Sequence, residues 1–317
     1  MKQFYGILIP FLFLFLQSCQ KPIPKHRIIV STDIGGSDPD DYQSLVHLFL
    51  YADTLEVVGL VSSPPHQGRR EHILETIAVY EKDFRKLSEQ SDHYPSPEYL
   101  RTISVQGAIE PQKAVLPKSL ISEGAQLIIN EAKKNDIRPL HILIWGSITD
   151  LAQALHKAPE IKSKVRAYYI GSWNTVQDSL ARDYVYSEHP DLWLIENNST
   201  FRGMYMGGYQ EGDYDNENFV RSAIKSFGAM GDFFYHKKVD IKMGDTPSVL
   251  YLLNGDPSNP ESESWGGRFQ RTTHGPNYWT DLRDSSLIEN GQFGAKTVNK
   301  WRKQYLDDWR RRMEHLK

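Results

Sequence analysis

Apolar residues along this chain fall into short unbroken runs, separated by amphipathic stretches and polar, glycine-rich segments. Residues 27–30 (Arg-Ile-Ile-Val) make the first run and residues 55–61 the second. Both are rich in β-branched residues, and at this length they predict strands buried on both faces. Between them, residues 41–52 place Leu45, Leu48, Phe49 and Ala52 at three- and four-residue spacing, which predicts a helix. The alternation continues with helices predicted over 72–87, 122–135 and 148–155, and strands over 140–145, 165–170 and 192–196. Apolar strands alternating with helices predict an α/β fold, a mostly parallel open sheet with helices on both faces.

Residues 197–290 break this rhythm. They are rich in Gly, Asp, Asn and aromatic residues, and they predict long loops around helices over 218–234 and 246–253. The last segment, 295–317, predicts one long helix. Trp301, Tyr305, Trp309 and Met313 fall four apart and form an apolar docking stripe. Arg310, Arg311 and Arg312 stand near its C-terminal end, where cations complement the helix dipole. No repeat or low-complexity linker interrupts residues 27–317, so they read as a single domain.

The N-terminus has a different character. Lys2 precedes residues 7–16, an apolar run of ten broken only by Pro10. A membrane-spanning helix needs about 20 apolar residues, so this run fits the core of a secretory signal instead. Leu16-Gln17-Ser18-Cys19 resembles a bacterial lipobox. The resemblance implies a signal peptide over 1–18, a lipid anchor to the membrane on Cys19 and a short tether over 20–26. Gln20, rather than Asp, after the cysteine resembles an outer-membrane sorting signal, so the expected location is the cell envelope. Cys19 is the sole cysteine of the chain, which excludes an intramolecular disulfide or a thiolate metal cage.

Charge sharpens the picture in one place. Lys plus Arg number 37 and Asp plus Glu 40, for a net charge of −3 over 317 residues. That balance lacks the basic footprint of a nucleic-acid binder. The acids are nonetheless concentrated. Asp33, Asp38, Asp40 and Asp41 lie within nine residues directly after the first predicted strand. In open α/β sheets ligands bind beyond the carboxyl ends of strands. A purely structural role covers three of the four: Asp38 as N-cap, with Asp40 and Asp41 in the first helical turn behind Pro39. It leaves Asp33 unexplained. Crowded carboxylates repel one another, and a divalent cation relieves the repulsion. An all-oxygen donor set suits Ca²⁺ or Mg²⁺ rather than zinc. Gly35-Gly36 does not follow G-x-G-x-x-G, and the acids disfavour a phosphate loop.

The acidic segment Asp33-x-Gly35 to Asp40-Asp41 resembles the D-x-D-x-G-x-D-D signature of the nucleoside hydrolases. It is similar above all to their bacterial branch known as cellulose-binding or nucleoside-hydrolase-like proteins. Residues 143–152 (LIWGSITDLA), 244–252 (GDTPSVLYL) with Trp265-Gly-Gly-Arg268, and 301–313 extend the likeness over nearly all of residues 27–313. The resemblance implies a Ca²⁺ held by Asp33, Asp41, Asp245 and the main-chain carbonyl of Trp145. It also implies that Asp33 accepts a proton from the water at the metal and that Asp40 bonds a sugar hydroxyl. Asp183 falls near the family's sugar-contacting acidic segment. Three departures stand out. Ser31 replaces the first acid, Asp38-Pro39 is inserted, and Gly244 stands where one type of nucleoside hydrolase has a proton-donating histidine.

Other residues fill out the expected site. Trp173 and Asn174 follow a predicted strand and should reach the same crevice. Trp265 and Trp279, like Trp173, could stack on a sugar ring. His189, His274 and Glu188 are candidate proton donors. The expected function is Ca²⁺-dependent hydrolysis of a glycosidic bond in a sugar or glycoside small molecule. The alternatives are a non-catalytic carbohydrate-binding envelope lipoprotein and a periplasmic nucleoside N-ribohydrolase.

Overall fold

The structure, a computed structural model, describes residues 1, 24–36, 38–63, 68–111 and 120–317. The expected signal peptide, apart from Met1, and the expected lipidation site Cys19 lie outside the described residues. Eight strands form one sheet: β1 (Arg27–Thr32), β2 (Glu56–Ser62), β3 (Ser104–Gln106), β4 (Leu140–Ile144), β5 (Val165–Ile170), β6 (Trp193–Asn197), β7 (Phe269–Arg271) and β8 (Tyr278–Asp281). Their order is β3-β2-β1-β4-β5-β6-β8-β7, and only the β7–β8 pair is antiparallel. This is the α/β architecture that the apolar runs predict.

Side-chain alternation builds two cores. Ile28 and Val30 of β1 enter one buried cluster, and Ile29 enters the other. The first cluster packs under the helices Asp40–Leu50, Arg70–Gln90, Gly228–Lys237, Thr246–Leu253 and Arg302–Glu314. The second lies under Glu123–Lys133, Thr149–Lys157 and Ser179–Glu188. Helices therefore cover both faces, which is why the central strands can be apolar throughout.

Two expected helices are broken. The 218–234 stretch is a turn of helix (Asn216–Phe219), a π turn (Val220–Ile224) and a new helix from Gly228. Gly228 sits at φ +65°, and a Cβ there would lie 2.5 Å from the Asp83 carboxylate. That carboxylate accepts the amides of Ala229 at 3.0 Å and Met230 at 2.7 Å, so it caps the new helix. The 295–317 helix is likewise split into Lys296–Asn299 and Arg302–Glu314. Tyr305, Trp309 and Met313 are buried in the core as the stripe predicts, while Trp301, at the break, is half-buried. Arg312 pairs with Asp53 at 2.7 Å, Arg311 with Asp308 at 2.7 Å and Arg310 with Asp307 at 3.5 Å. Among the described residues no helix is long and apolar enough to cross a membrane.

The strand order decides where a ligand can sit. From β1 the chain moves one way to β2 and β3, then crosses back so that β4 pairs with the other edge of β1. Loops leaving β1 and β4 therefore part in opposite directions and open a crevice at their carboxyl ends.

Candidate functional site

A cleft of about 190 Å³ occupies that switch point. The β1 loop lines it with Asp33, Asp38, Asp40 and Asp41, and the β4 loop with Trp145. The end of β5 and the segment after it supply Ile170 to Asn174, and later segments supply Phe201, Arg202, Tyr205, Lys242 and Asp245. Asp33 reaches the floor because the residue beside it is Gly146. A Cβ there would meet the Asp33 Cβ at 2.7 Å and its amide nitrogen at 2.8 Å.

Asp41 is anchored by a hydrogen bond from the Thr32 hydroxyl, which ties the start of the first helix to the end of β1. Asp245 arrives from far along the chain at the head of the Thr246–Leu253 helix. Two polar contacts lock that helix onto the site. Trp145 Nε1 donates to Ser248 Oγ at 2.8 Å, and Thr246 Oγ1 donates to Ser44 Oγ at 3.1 Å. Buried Gln43 staples the preceding loop. Its Nε2 donates to the Asp240 carbonyl at 2.9 Å, and its Oε1 accepts the Lys242 amide at 2.9 Å.

The carboxylate oxygens of Asp40, Asp41 and Asp245 converge to within 4.8 Å of one another. Asp41 and Asp245 are buried, while Asp33 and Asp40 are half-buried against the cleft. Oδ2 of Asp245 is buried without a hydrogen-bond partner among the described residues. Burial, with the charge of Asp38, pushes Asp33 up to about 6 against the hydrogen bond it shares with Asp41. Burial, with the charges of Asp38 and Asp33, pushes Asp40 up to about 7. Burial and their acidic neighbours hold Asp41 and Asp245 well above the ordinary carboxylate range. Lys242 offsets little of this, since its ammonium is committed to Asp38 at 3.1 Å.

The expected site residues sort clearly. Asp33, Asp40, Asp41, Asp245, Trp145, Trp173 and Asn174 all line the cleft. The Asn174 amide donates to the Trp145 carbonyl at 2.7 Å and to the Ile170 carbonyl at 3.0 Å, so it positions the loop. Trp173 is 67% exposed, its ring free at the rim. Asp183 and Trp265 do not line the cleft. Arg182 turns inward to buried Glu196 at 2.8 Å, which leaves Asp183 on the outside, paired with that arginine at 3.1 Å. Trp265 packs on the core and donates to Gln304 at 3.2 Å. The proton-donor candidates are also elsewhere. His189 Nε2 contacts the Tyr184 hydroxyl at 3.4 Å, His274 stacks on Tyr186 with centroids 3.4 Å apart, and Glu188 is on the surface. Trp279 is buried against Trp193.

Three polar cleft residues had no signal in the pattern of runs: Arg202, Tyr205 and Lys242. Ser172 belongs to the segment after β5 that the sequence already directs to the crevice, and its backbone is what the structure adds. Ser172 sits at φ +56° and ψ −114°, a positive-φ conformation costly for a non-glycine residue, and such strain clusters at functional sites.

Residues 27–269 match the family described as "Cellulose-binding Sde182, nucleoside hydrolase-like domain". The chain belongs to this family. A nucleoside hydrolase-related protein from Saccharophagus degradans, associated with carbohydrate metabolism, is 25% identical with a TM-score of 0.74, over 93% of this chain and 72% of that one. An inosine-guanosine nucleoside hydrolase is 15% identical with a TM-score of 0.53, over 92% and 99% of the two chains. The inosine-uridine preferring nucleoside hydrolase of Bacillus anthracis is 13% identical with a TM-score of 0.52, over 91% and 100%. These last two share the fold alone. No curated protein matches. The chain is thus a nucleoside hydrolase-like α/β protein with a carbohydrate-associated homologue.

Proposed function

We propose that this chain is a Ca²⁺-dependent hydrolase of a glycosidic bond in a sugar-containing substrate. The observation that carries the reading is Asp245. Its buried Oδ2 atom has no partner among the described residues, and it belongs to three carboxylates whose oxygens converge within 4.8 Å. Buried and crowded carboxyls of this kind are costly to ionise, and a cation offsets that cost. The donors are oxygens alone, which suits a hard divalent ion. Of the three carboxylates, Asp41 and Asp245 would hold it, joined by Asp33 and the Trp145 carbonyl from the lining of the same cleft. When bound, the ion supplies positive charge that orients vicinal hydroxyls and acidifies water.

The chain's own residues supply the remainder. Asp33, at the cleft floor, accepts the proton of the attacking water, and such a positioned base contributes about 10²–10⁴-fold. Asp40 accepts a sugar hydroxyl. Trp173 offers its exposed ring as a stacking face. The test is a screen of nucleosides and aryl or oligosaccharide glycosides, with Ca²⁺ or a chelator, on the wild type and Asp33→Asn. Turnover that needs Ca²⁺ and collapses in Asp33→Asn supports the reading. Turnover indifferent to both refutes it, and release of a free base favours a nucleosidase.

A second reading is a carbohydrate-binding protein without turnover. It is favoured by the absence of histidine and glutamate among the described residues lining the cleft, and by Gly244 at the expected donor position. A Cβ on Gly244 would meet the Phe201 ring at 3.1 Å, so that ring narrows the space such a donor needs. Saturable sugar binding without product in the same screen selects this reading. We also propose that Cys19 carries the lipid anchor of an outer-membrane lipoprotein, on the strength of the apolar run that precedes it. Fatty-acid labelling lost in Cys19→Ala supports this, and an unlabelled wild type overturns it.

A further inference from the structure

We infer that Arg202 recognises an oxyanion on the ligand, so that the sugar bound in this cleft carries a carboxylate, phosphate or sulfate group. The inference rests on the proposed sugar site and narrows its substrate class. Arg202 lines the cleft and is half-buried, yet it forms no ion pair among the described residues. All its contacts are neutral. Nη1 donates to the Asn198 carbonyl at 2.7 Å, Nη2 donates to Ser172 Oγ at 2.9 Å, and the guanidinium lies 4.5 Å from the centre of the Phe201 ring. Were its role to neutralise the acidic cluster, it would pair with a carboxylate, as Lys242 does with Asp38 at 3.1 Å.

The scaffold behind Arg202 is built to hold it still. Ser172, at φ +56°, sits in a strained turn, and its hydroxyl accepts from the guanidinium. Asn198 closes the circuit, because its side-chain oxygen accepts the Ser172 amide at 2.6 Å while its carbonyl takes Arg202. Asn198 is itself fixed by Asp281, whose carboxylate accepts the amides of Asn198, Ser199 and Thr200 at 3.0, 3.1 and 2.8 Å. Two of the five N–H groups of the guanidinium are used in this way, and the rest make no hydrogen bond among the described residues. A rigid planar fork with free donors matches a planar or tetrahedral oxyanion. The Phe201 ring beside the guanidinium and the two hydrogen bonds hold it in one place, so the recognition is directional rather than a diffuse charge.

The experiment is calorimetric titration of the full chain with Ca²⁺, using glucose, glucuronate, glucose 6-phosphate, glucose 6-sulfate and inorganic phosphate as probes. Wild type, Arg202→Lys and Arg202→Gln are compared, each checked for an unchanged melting temperature. An oxyanion-bearing sugar is expected to bind at least about tenfold tighter than glucose, as charge-assisted bidentate bonds give. Arg202→Gln should abolish that preference, so that charged and neutral sugars bind alike, and Arg202→Lys should retain part of it. Equal wild-type affinities for charged and neutral sugars overturn the inference, as does equal loss of both in Arg202→Gln. Failure of every charged probe, phosphate included, to bind the wild type overturns it too. A separate Ca²⁺ titration distinguishes this from failure of the function itself: Ca²⁺ bound without oxyanion preference sinks only the Arg202 assignment, and oxyanion preference without Ca²⁺ binding sinks only the metal.

Discussion

The two ends of the same strands handle buried charge in opposite ways. At the amino end of β1, Arg27 pairs with Glu131 at 3.0 Å and approaches Asp136 at 3.6 Å. Arg138 holds Asp136 and Glu56 at 2.6 Å each. The hydrogen bond from Arg138, above all, holds the Asp136 carboxyl well below its usual range. At the carboxyl end, Asp33, Asp40, Asp41 and Asp245 are raised instead, with burial the largest cause in each case. One end is closed electrostatically by the chain itself. The other leaves a deficit of positive charge in a cleft open to solvent. A groove of about 610 Å³ at the amino end, lined by Arg138, Arg166, Lys162 and Trp193, is larger than the acidic cleft. Its size does not make it the better site, because the acids there already have partners.

The largest effect that tests this contrast is at the closed end. Arg27→Ala removes the guanidinium from buried Glu131, which keeps Lys134 at 2.7 Å, so the expected cost is that of a hydrogen bond to a charged group, about 1.5–3 kcal/mol. Urea denaturation measures it, and a loss under ~1 kcal/mol would mean that the amino end is not closed in this sense. At the open end the expected sign reverses. Asp245→Asn removes one of the crowded charges, so the metal-free protein should be unchanged or stabilised by about 1 kcal/mol. The same change should weaken Ca²⁺ binding at least about 100-fold, read by calorimetry, since ligand loss leaves the ion under-coordinated.

The pH dependence separates the ends more finely. Asp33 lies at about 6 and Asp40 at about 7 in the folded chain, against about 3.9 unfolded. Between these values the folded protein holds more protons than the unfolded one, so ionisation there costs stability. The contribution is greatest below the unfolded value and is lost as pH rises through 6 and 7. The metal-free melting temperature should therefore fall from about pH 5 to about pH 8, and saturating Ca²⁺ should flatten that fall. A metal-free profile that rises over this range would contradict the electrostatic account. The smallest effect is at the rim. Trp173→Ala should weaken sugar binding by about 0.5–1.5 kcal/mol with no change in melting temperature, because the ring is 67% exposed.

Legibility in the sequence followed the range of the interactions concerned. The βα rhythm through residue 197 was readable because burial on both faces writes unbroken apolar runs, and helices write their own spacing. The strands β3, β7 and β8, of three or four residues, are too short to carry a period. The break before Gly228 depends on Asp83, a residue from another helix, and no local pattern announces it. Trp265 and Asp183 had the right chemistry for a sugar site. Gln304 and Arg182 decided where they went.

The sequence alone determined the α/β class, the acidic loop after β1 and the docking stripe of the last helix, because each is written in neighbouring residues. The tertiary structure alone decided that the Asp40 carboxylate converges with Asp41 and Asp245, that Asp183 stays outside, and that Arg202 faces the cleft without a counter-charge among the described residues. Those facts depend on the crossover from β3 to β4 and on helices packing over one face, and contacts between distant segments leave no spacing for the chain to record.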